Sequence, residues 1–232
     1  MRIEKPVVLG RLVRRYKRFL ADVKLDGKRG VVTAHCPNTG GLLGCQEPGS
    51  RVVLRDSQDP GRKLRYTWQA VEVDGTWVNV DTALPNAVVA EAVRAGAVPA
   101  LRGYPELRRE VPYGSRSRID LLLERGEERC YVEVKCTTLA RGRTALFPDA
   151  VTARGLKHLG ELEAVVRGGH RAVQFFFISR GDATRFRPAA DIDPAYAEGL
   201  RRAAEAGVEV VAYSARVAPD RLELDRRLRV AS

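Results

Sequence analysis

The sequence offers few residues of the kinds that bind structural metals. Its four cysteines include no CxxC pair, and His35, Cys36 and Cys45 do not match the ligand spacing of a familiar zinc finger. The N-terminus, MRIEKPVVLG, lacks the long apolar stretch of a secretory signal, so we expect reduced thiols in a cytoplasmic protein. The cysteines are therefore predicted to be small buried side chains.

Long apolar runs, internal repeats and low-complexity linkers are also missing. No run approaches the roughly 20 apolar residues that a membrane helix needs, so we expect a soluble protein with no membrane partner. A chain of 232 residues accommodates one large domain or two small ones. Because no linker separates its parts, we expect two domains to pack closely.

Positive charge is in clear excess. The formal net charge of +11 favours a polyanionic partner, although a basic composition also occurs in proteins that bind no nucleic acid. Near the N-terminus, Tyr16 and Phe19 lie among candidate nucleic-acid-binding residues, which are Arg11, Arg14, Arg15, Lys17 and Arg18. Such a stretch can hold a phosphate backbone and stack bases. It can equally be a solvated strand edge whose charge prevents aggregation.

Residues 1–82 predict a small all-β domain. Five or six short segments rich in β-branched or aromatic residues are bounded by Asp-Gly, Pro-Asn and Gly turn signals, and no helical period persists. Segments such as PVVLGRLVRRY and TWVNVDT, repeated at this density, are typical of a small barrel or sandwich.

Residues 83–232 predict an α/β domain. The first helix is LPNAVVAEAVRAG, with Asn86 as N-cap and Gly96 as its left-handed stop, and three strands follow it. A second helix, predicted to begin at Pro148 and Asp149, precedes RAVQFFFIS, an apolar run typical of a central strand buried on both faces. A third helix and a further strand complete an order that implies parallel strands joined by crossovers.

A predicted hairpin, SRIDLLLERGEERCYVEVK, carries the clearest chemical signal. With residues 125–128 as its loop, cross-strand partners sum to 253, which puts Asp120 opposite Glu133. Ile119, Leu121 and Leu123 with their partners would form one wholly apolar face, while the opposite face would carry the two acids and Lys135. A slip of one residue would destroy this separation, so the pattern supports the register.

Two opposed carboxylates need a physical justification. Like charges facing each other on an exposed sheet cost about 0.2–1 kcal/mol, and more when they lose water. An ion pair with Lys135, a proton held by one carboxyl group, or a divalent cation between the oxygens would relieve the repulsion. A surface cluster bridged by Lys135 is the alternative that needs no function.

Two helices supply further candidates. Glu91 shares a helix face with apolar residues, which predicts an acid that points inward, and a surface ion pair with Arg94 is the alternative. In the second helix, Lys157 and His158 are possible contributors to the same site. A packed or surface imidazole is the alternative for His158.

Several blocks of the chain together resemble one family. They are HCPNTG, LPNAVVAEAV, SRIDLLLE, YVEVKCTTL, FPDAVTARGLKHLGEL, DPAY and AGVEVVAY, from about residue 35 to 213. These blocks resemble the sugar fermentation stimulation protein family. Asp120 followed by Glu133-Val134-Lys135 also resembles the D…(D/E)xK signature of the PD-(D/E)xK nuclease fold, although Ile119 stands where that fold often has proline.

The resemblance implies an α+β chain of two domains. Residues 1–82 would form an OB-like β-barrel that binds nucleic acid, and residues 83–232 a nuclease-like α/β domain with a mixed central sheet. It also implies DNA binding with little sequence preference and a regulatory link to sugar use.

The resemblance also implies roles for individual residues. Asp120 and Glu133 would bind Mg²⁺ or Mn²⁺, with Glu91 as a further helix-borne acid. Lys135 would serve the attacking water or the transition state.

The sequence thus predicts a DNA-binding protein with metal-dependent phosphodiesterase, or nuclease, activity. One alternative is a catalytically silent, nuclease-like regulator of sugar-utilisation genes. Another is an RNA-directed protein, because OB barrels accept either polymer. The complete set of Asp120, Glu133 and Lys135 argues for chemistry, since a purely binding descendant has no need to keep it.

Overall fold

The computed structural model describes residues 1–3, 6–114 and 117–231. The N-terminal part is all β, as predicted. Its described residues form six strands: β1 (Val7–Tyr16), β2 (Leu20–Leu25), β3 (Val32–His35), β4 (Arg51–Asp56), β5 (Tyr66–Val73) and β6 (Thr76–Asn79).

The first five of these strands close into an OB-like barrel. The six strands follow the order β3-β2-β1-β4-β5-β6, and an additional pairing of β3 with β5 closes the ring of the first five. Trp68 and Leu54 are fully buried inside it. Gly10 lies where β1 passes β2, and a Cβ added there would come within 2.6 Å of the Lys24 carbonyl oxygen. Only glycine permits this close approach of two backbones.

The C-terminal part is an α/β domain of three helices and nine strands in the described residues. Its elements are α1 (Pro85–Arg94), a 3₁₀ turn (Pro99–Leu101), β7 (Glu106–Tyr113), β8 (Ser117–Arg125), β9 (Glu128–Thr137), β10 (Ala140–Arg141), β11 (Thr144–Phe147), α2 (Ala153–Arg167), β12 (Arg171–Ile178), β13 (Arg185–Pro188), α3 (Pro194–Glu205), β14 (Glu209–Ala218) and β15 (Arg221–Val230).

The sheet is mixed, with the order β10-β11-β13-β15-β14-β12-β9-β8-β7. Strand β12 lies parallel to both β9 and β14 and is buried beyond its first residue, which confirms the predicted central strand. Phe175 and Phe177 pack on the α1 side, and Phe176 packs on the side of α2 and α3. Each buried phenylalanine contributes about 1.5–3 kcal/mol, so this strand anchors both layers.

Four strands were not predicted from the sequence: β10, β11, β13 and β15. The first three have two to four residues each and are therefore too short to show a period. Strand β15, RLELDRRLRV, has ten residues, but its charges obscure the alternation. Leu222 and Leu228 are nonetheless buried, because β15 pairs with β14 on one side and β13 on the other.

Helix α1 forms where the sequence predicts it, but its first turn differs in detail. Leu84 occupies the N-cap position and Pro85 the first helical position, so Asn86 is not the N-cap. The side chain of Asn86 is thereby released for another contact. Gly96 follows the helix with φ of +68°, as predicted for a left-handed stop.

Helix α2 begins later than predicted. Its N-cap is Thr152, whose hydroxyl accepts a hydrogen bond from the Gly155 N–H at 3.0 Å. Pro148 and Asp149 precede the helix in an irregular segment. Asp149 Oδ2 accepts a hydrogen bond from the Leu42 N–H at 2.7 Å, so this carboxylate joins the two domains instead of capping the helix.

The two domains contact each other directly, as the missing linker predicts. The Asn79 N–H donates to the Ser179 carbonyl at 2.9 Å. Met1 lies with the C-terminal domain, since its carbonyl accepts a hydrogen bond from the Leu222 N–H at 3.0 Å.

All four cysteines are free thiols, and only Cys136 is more than slightly exposed among them. In the described ranges, no helix combines the length and apolar character required to cross a bilayer.

Candidate active site

The hairpin of β8 and β9 has the predicted register. Leu121 pairs with Val132, and the other cross-strand partners also sum to 253. The turn is shorter than predicted, because Arg125 already pairs with Glu128 and leaves two residues between the strands.

The two strands separate at the acids. Within the described residues their ladder ends at Leu121 and Val132, so Asp120 and Glu133 do not form the predicted direct pair. Asp120 Oδ2 instead accepts a hydrogen bond from the Val134 N–H at 2.7 Å. The carboxylate thus takes the place of a main-chain acceptor at the point where the strands diverge.

This separation also changes the face that β8 presents. Ile119 packs with Leu122 on the side of α2 and α3, whereas Leu121 packs on the α1 side. The prediction that Ile119 shares the apolar face of Leu121 is therefore wrong. Simple alternation fails here because Asp120 bonds through its side chain rather than through a regular ladder.

Glu133 is the centre of a buried polar cluster. Its Oε1 accepts a hydrogen bond from Lys135 Nζ at 2.7 Å and lies in hydrogen-bond contact with His158 Nδ1. The Glu133 side chain is 4% exposed and that of Lys135 13%. Glu133 Oε2 is buried and has no hydrogen-bond partner in the described residues.

His158 is held by partners on both ring nitrogens. Arg154 Nε donates to His158 Nε2 at 3.4 Å, so this nitrogen carries no proton in that arrangement. On the other side of the ring, Nδ1 is in hydrogen-bond contact with Glu133 Oε1 and lies 3.2 Å from Lys135 Nζ. Helix α2 therefore brings His158 to the site, and the imidazole fixes the orientation of the Glu133 carboxylate.

The two carboxyl groups have opposite pKa shifts. Burial and the nearby charge of Glu133 raise the pKa of Asp120 to about 7, against the lowering effects of the Val134 N–H, Lys135 and Asn86. Burial also acts to raise the pKa of Glu133, but the contacts with His158 and Lys135 outweigh it and leave that pKa lowered. A proton at this site therefore binds Asp120 in preference to Glu133.

Asn86 is a site residue that the sequence reading missed. Its Nδ2 donates to Asp120 Oδ1 at 2.6 Å, from the first turn of α1. The signal was present, because an asparagine directly after a helix-starting proline is free to bond something other than its own helix.

The acids line a cavity of about 420 Å³. Its walls combine the C-terminal domain with the barrel segment HCPNTG, from which Asn38 and Thr39 face the same space as Asp120 and Lys135. The sequence assigned no chemistry to this segment beyond a tight turn.

Two other candidates lie outside this cavity. Glu91 does not point inward as predicted: its side chain is 60% exposed and its Oε2 lies 3.3 Å from the Met1 amino group. The inward positions of α1 are taken by apolar residues, so Glu91 is not part of the acid cluster. Lys157 contacts Ser117 Oγ at 3.2 Å and Glu161 Oε1 at 3.4 Å, one helical position away from His158.

The basic residues of β1 and its turn differ in their surroundings. Arg14 pairs with Asp22 at 2.9 Å, and Arg15 donates to main-chain carbonyls of the HCPNTG segment and its neighbours. Lys17 and Arg18 are exposed at the turn between β1 and β2. Arg11 lines a shallow cavity of about 400 Å³ whose other basic residues are Lys24, Lys28 and Arg29.

The donor set suits a hard divalent cation. Glu133 Oε2 is an unpartnered buried carboxylate oxygen, an arrangement that a cation would satisfy. In the described part of the chain, no three His, Cys, Asp or Glu side chains gather into a metal-binding group. Asp120 and Glu133 would therefore supply two ligands and leave the rest to water, main chain or substrate, as Mg²⁺ sites commonly do.

An OB-like barrel joined to an α/β domain with a mixed sheet defines the class of this protein. The family model for the SfsA N-terminal OB domain matches residues 13–80, and that for the sugar fermentation stimulation protein RE domain matches residues 83–221. The chain belongs to the sugar fermentation stimulation protein family.

Relatives match over nearly the whole length. A sugar fermentation stimulation protein homolog of Pelobacter propionicus is 57% identical over 97% of both chains. A homolog of Geobacter sulfurreducens is 54% identical over 99% of this chain and 98% of its own. A solved structure of Pyrococcus furiosus SfsA in complex with Ca²⁺ is 29% identical, covers both chains completely and has a TM-score of 0.90.

Proposed function

We propose that this protein is a metal-dependent phosphodiesterase that cleaves DNA with little sequence preference. The observation that carries the proposal is the asymmetry of Glu133: Oε1 is held by Lys135 and His158, while Oε2 is buried without a partner. A second carboxylate, Asp120, lines the same cavity with a pKa raised to about 7. Perturbed carboxyl groups that converge in a cleft are typical of catalytic sites.

Asp120 and Glu133 would hold the cation, and its charge would relieve their repulsion while polarising a bound phosphate. Asn86 and the Val134 N–H keep the Asp120 carboxylate directed toward the cavity. The relative from Pyrococcus furiosus, solved in complex with Ca²⁺, supports a divalent cation, and Mg²⁺ or Mn²⁺ are the candidates for catalysis.

Lys135 has two roles in this proposal. Its ammonium group neutralises part of the Glu133 charge at 2.7 Å. As a positive charge beside the cavity, it would also stabilise the anionic transition state of phosphoryl transfer. Asp120, Glu133 and Lys135 on adjacent strands would then serve as the acid–acid–lysine set of a PD-(D/E)xK nuclease.

DNA is the proposed substrate because of the charge and the barrel. A net charge of +11 supplies sequence-independent attraction to phosphates, which weakens steeply with salt. OB barrels bind nucleic acid in many proteins. RNA meets the same requirements, so the substrate needs a direct comparison.

The test incubates the purified protein with supercoiled plasmid and with matched DNA and RNA oligonucleotides, in Mg²⁺, Mn²⁺ or EDTA. Wild type is compared with Asp120→Ala, Glu133→Ala and Lys135→Ala, and with Glu91→Ala as a matched loss of an acid outside the cluster. We expect DNA cleavage that needs metal and that only the three cluster variants lose. Binding without cleavage in every metal would leave a DNA-binding regulator, and preferential cleavage of RNA would reject DNA as the substrate.

A further inference from the structure

The acid cluster opens into a second cavity. A space of about 580 Å³ adjoins the 420 Å³ cavity, and the two share lining residues that include Asn38 and Thr39 of the barrel and Arg154 of α2. We name the two cavities together the slot. One wall of the slot is the barrel segment 38–41, and the facing wall is formed by residues 147–154.

The barrel wall of the slot is held firmly. The Arg15 guanidinium donates to the carbonyls of Asn38 at 2.9 Å and Gly40 at 2.8 Å. Asp149 reaches across from the facing wall to the Leu42 N–H at 2.7 Å. A Cβ on Gly40 would come within 2.8 Å of the Asp149 carboxylate, so the two walls touch at this one point beside the cavity. These contacts fix the width of the slot.

The groups proposed to react line the 420 Å³ cavity of the slot, and little of their surface is exposed. The Glu133 side chain is only 4% exposed and that of Lys135 only 13%. A phosphate that reaches them must enter the slot together with its flanking sugars and bases. In a duplex each base is tied to a partner strand, whereas an unpaired or extruded nucleotide can enter a pocket of this size.

We propose, as an extension of the proposed function, that the slot admits unpaired DNA and excludes intact duplex. The phosphate to be cut would lie at the acid cluster, and a neighbouring nucleotide would occupy the second cavity. Arg18 and Arg154 line that cavity and suit a phosphate, while Phe147 and Val151 suit the apolar faces of sugar and base. Val151 is 77% exposed, so its side chain is accessible to a base or sugar in the cavity.

The experiment compares one DNA sequence in three forms: single strand, perfect duplex and duplex with an internal unpaired bubble. Binding is measured by anisotropy with Ca²⁺ and about 0.2 M salt, which weakens surface phosphate contacts. Cleavage is measured with Mg²⁺. Val151→Glu places a negative charge in the slot, and Val31→Glu makes the same change at a barrel valine that is 56% exposed and does not line it.

We expect wild type to favour the single strand and the bubble over duplex by at least about tenfold, equivalent to about 1.4 kcal/mol. Val151→Glu should weaken single-strand binding by about tenfold, and Val31→Glu by less than about twofold. If wild type binds and cleaves duplex and single strand equally, or if the two variants weaken binding equally, the proposal that the slot selects unpaired DNA is wrong. If no metal supports cleavage, the proposed function fails, but the binding comparison still decides whether unpaired DNA occupies the slot.

Discussion

The acid cluster and the basic segment from Arg11 to Arg18 are both dense in charge, but they hold it in different ways. Glu133 and Lys135 are 4% and 13% exposed, and each has fixed partners. The side chain of Arg14 is 67% exposed and forms one ion pair. Buried charges must be paired or shift their pKa values, whereas exposed pairs contribute little to stability.

The difference explains where function concentrates. In the acid cluster, removal of one charged group leaves another buried without a partner. Each position therefore requires its own residue type. In the basic segment, one cation can replace another in contact with a phosphate backbone. Chemistry is therefore expected from the cluster and affinity from the segment.

The largest effect should come from the removal of one charge at the cluster. Glu133→Gln keeps the shape of the side chain but removes the unpartnered carboxylate oxygen, so we expect cleavage to fall by at least about a thousandfold. The loss of cleavage rate is measured under single-turnover conditions in Mg²⁺, with a duplex that contains an unpaired bubble.

Glu91→Gln is the matched control for this change, because Glu91 is 60% exposed on α1. It should retain the wild-type rate within about twofold. Equal losses in both variants would place the chemistry elsewhere and remove the contrast between buried and exposed acids.

The next effect is on stability and depends on pH. Burial and Glu133 raise the pKa of Asp120 to about 7, so the native state holds a proton that the unfolded chain releases near pH 4. Without metal, the wild type should therefore lose stability as pH rises from about 4 to about 7, by up to about 4 kcal/mol from this group. Asp120→Asn cannot ionise and should lack that loss.

Urea denaturation of both proteins in EDTA, at several pH values, measures this effect. As pH rises, the free energy of unfolding of Asp120→Asn should increase relative to that of wild type. Mg²⁺ should restore the stability of wild type at neutral pH. Asp26→Asn, at an exposed position of the barrel, is the control and should follow the wild-type curve. A pH-independent difference between wild type and Asp120→Asn would show that Asp120 is ionised in both states.

The sequence predicted those parts of the site that depend on strand alternation. The register of the β8–β9 hairpin followed from matching apolar residues, and Leu121 indeed pairs with Val132. The barrel, the central strand β12 and the three helices also had clear local patterns.

The parts that failed depend on tertiary contacts. Glu91 has helical neighbours that are apolar, yet its position on α1 faces the Met1 amino group, which no local pattern reveals. The sequence around Asn86 predicts a helix cap, and its real contact, with Nδ2 2.6 Å from Asp120 Oδ1, depends on the tertiary fold. The cavity wall at Asn38 and Thr39 depends on how two domains pack, which a sequence period cannot encode.

Arg15 is a member of the basic segment that nevertheless has fixed partners, as the residues of the acid cluster do. It lies in the exposed stretch but donates to carbonyls that shape the wall of the slot. We expect Arg15→Ala to lower the free energy of unfolding by about 1–3 kcal/mol, because several partly buried carbonyls lose their donor. The neighbouring Arg14→Ala should leave the thermal midpoint nearly unchanged.

Thermal melts of both variants, followed by circular dichroism, make this measurement. Equal thermal midpoints for Arg15→Ala and wild type would show that Arg15 is an ordinary surface cation. The wall of the slot would then be stabilised by other residues.

The smallest effect should come from the cations that share the shallow barrel cavity. Arg11→Ala combined with Lys24→Ala removes two charges that we expect to contact phosphates. The slope of log affinity against log salt should therefore fall by about 2 in magnitude, equally for unrelated DNA sequences. Arg201→Ala combined with Arg202→Ala removes the same charge from α3 and is the control for net charge alone. If both double variants lower the slope equally, binding depends on the total charge and the barrel has no preferred DNA-binding surface. If only the barrel pair does so, the exposed charges are as localised in function as the buried ones, although each can be lost at little cost to the fold.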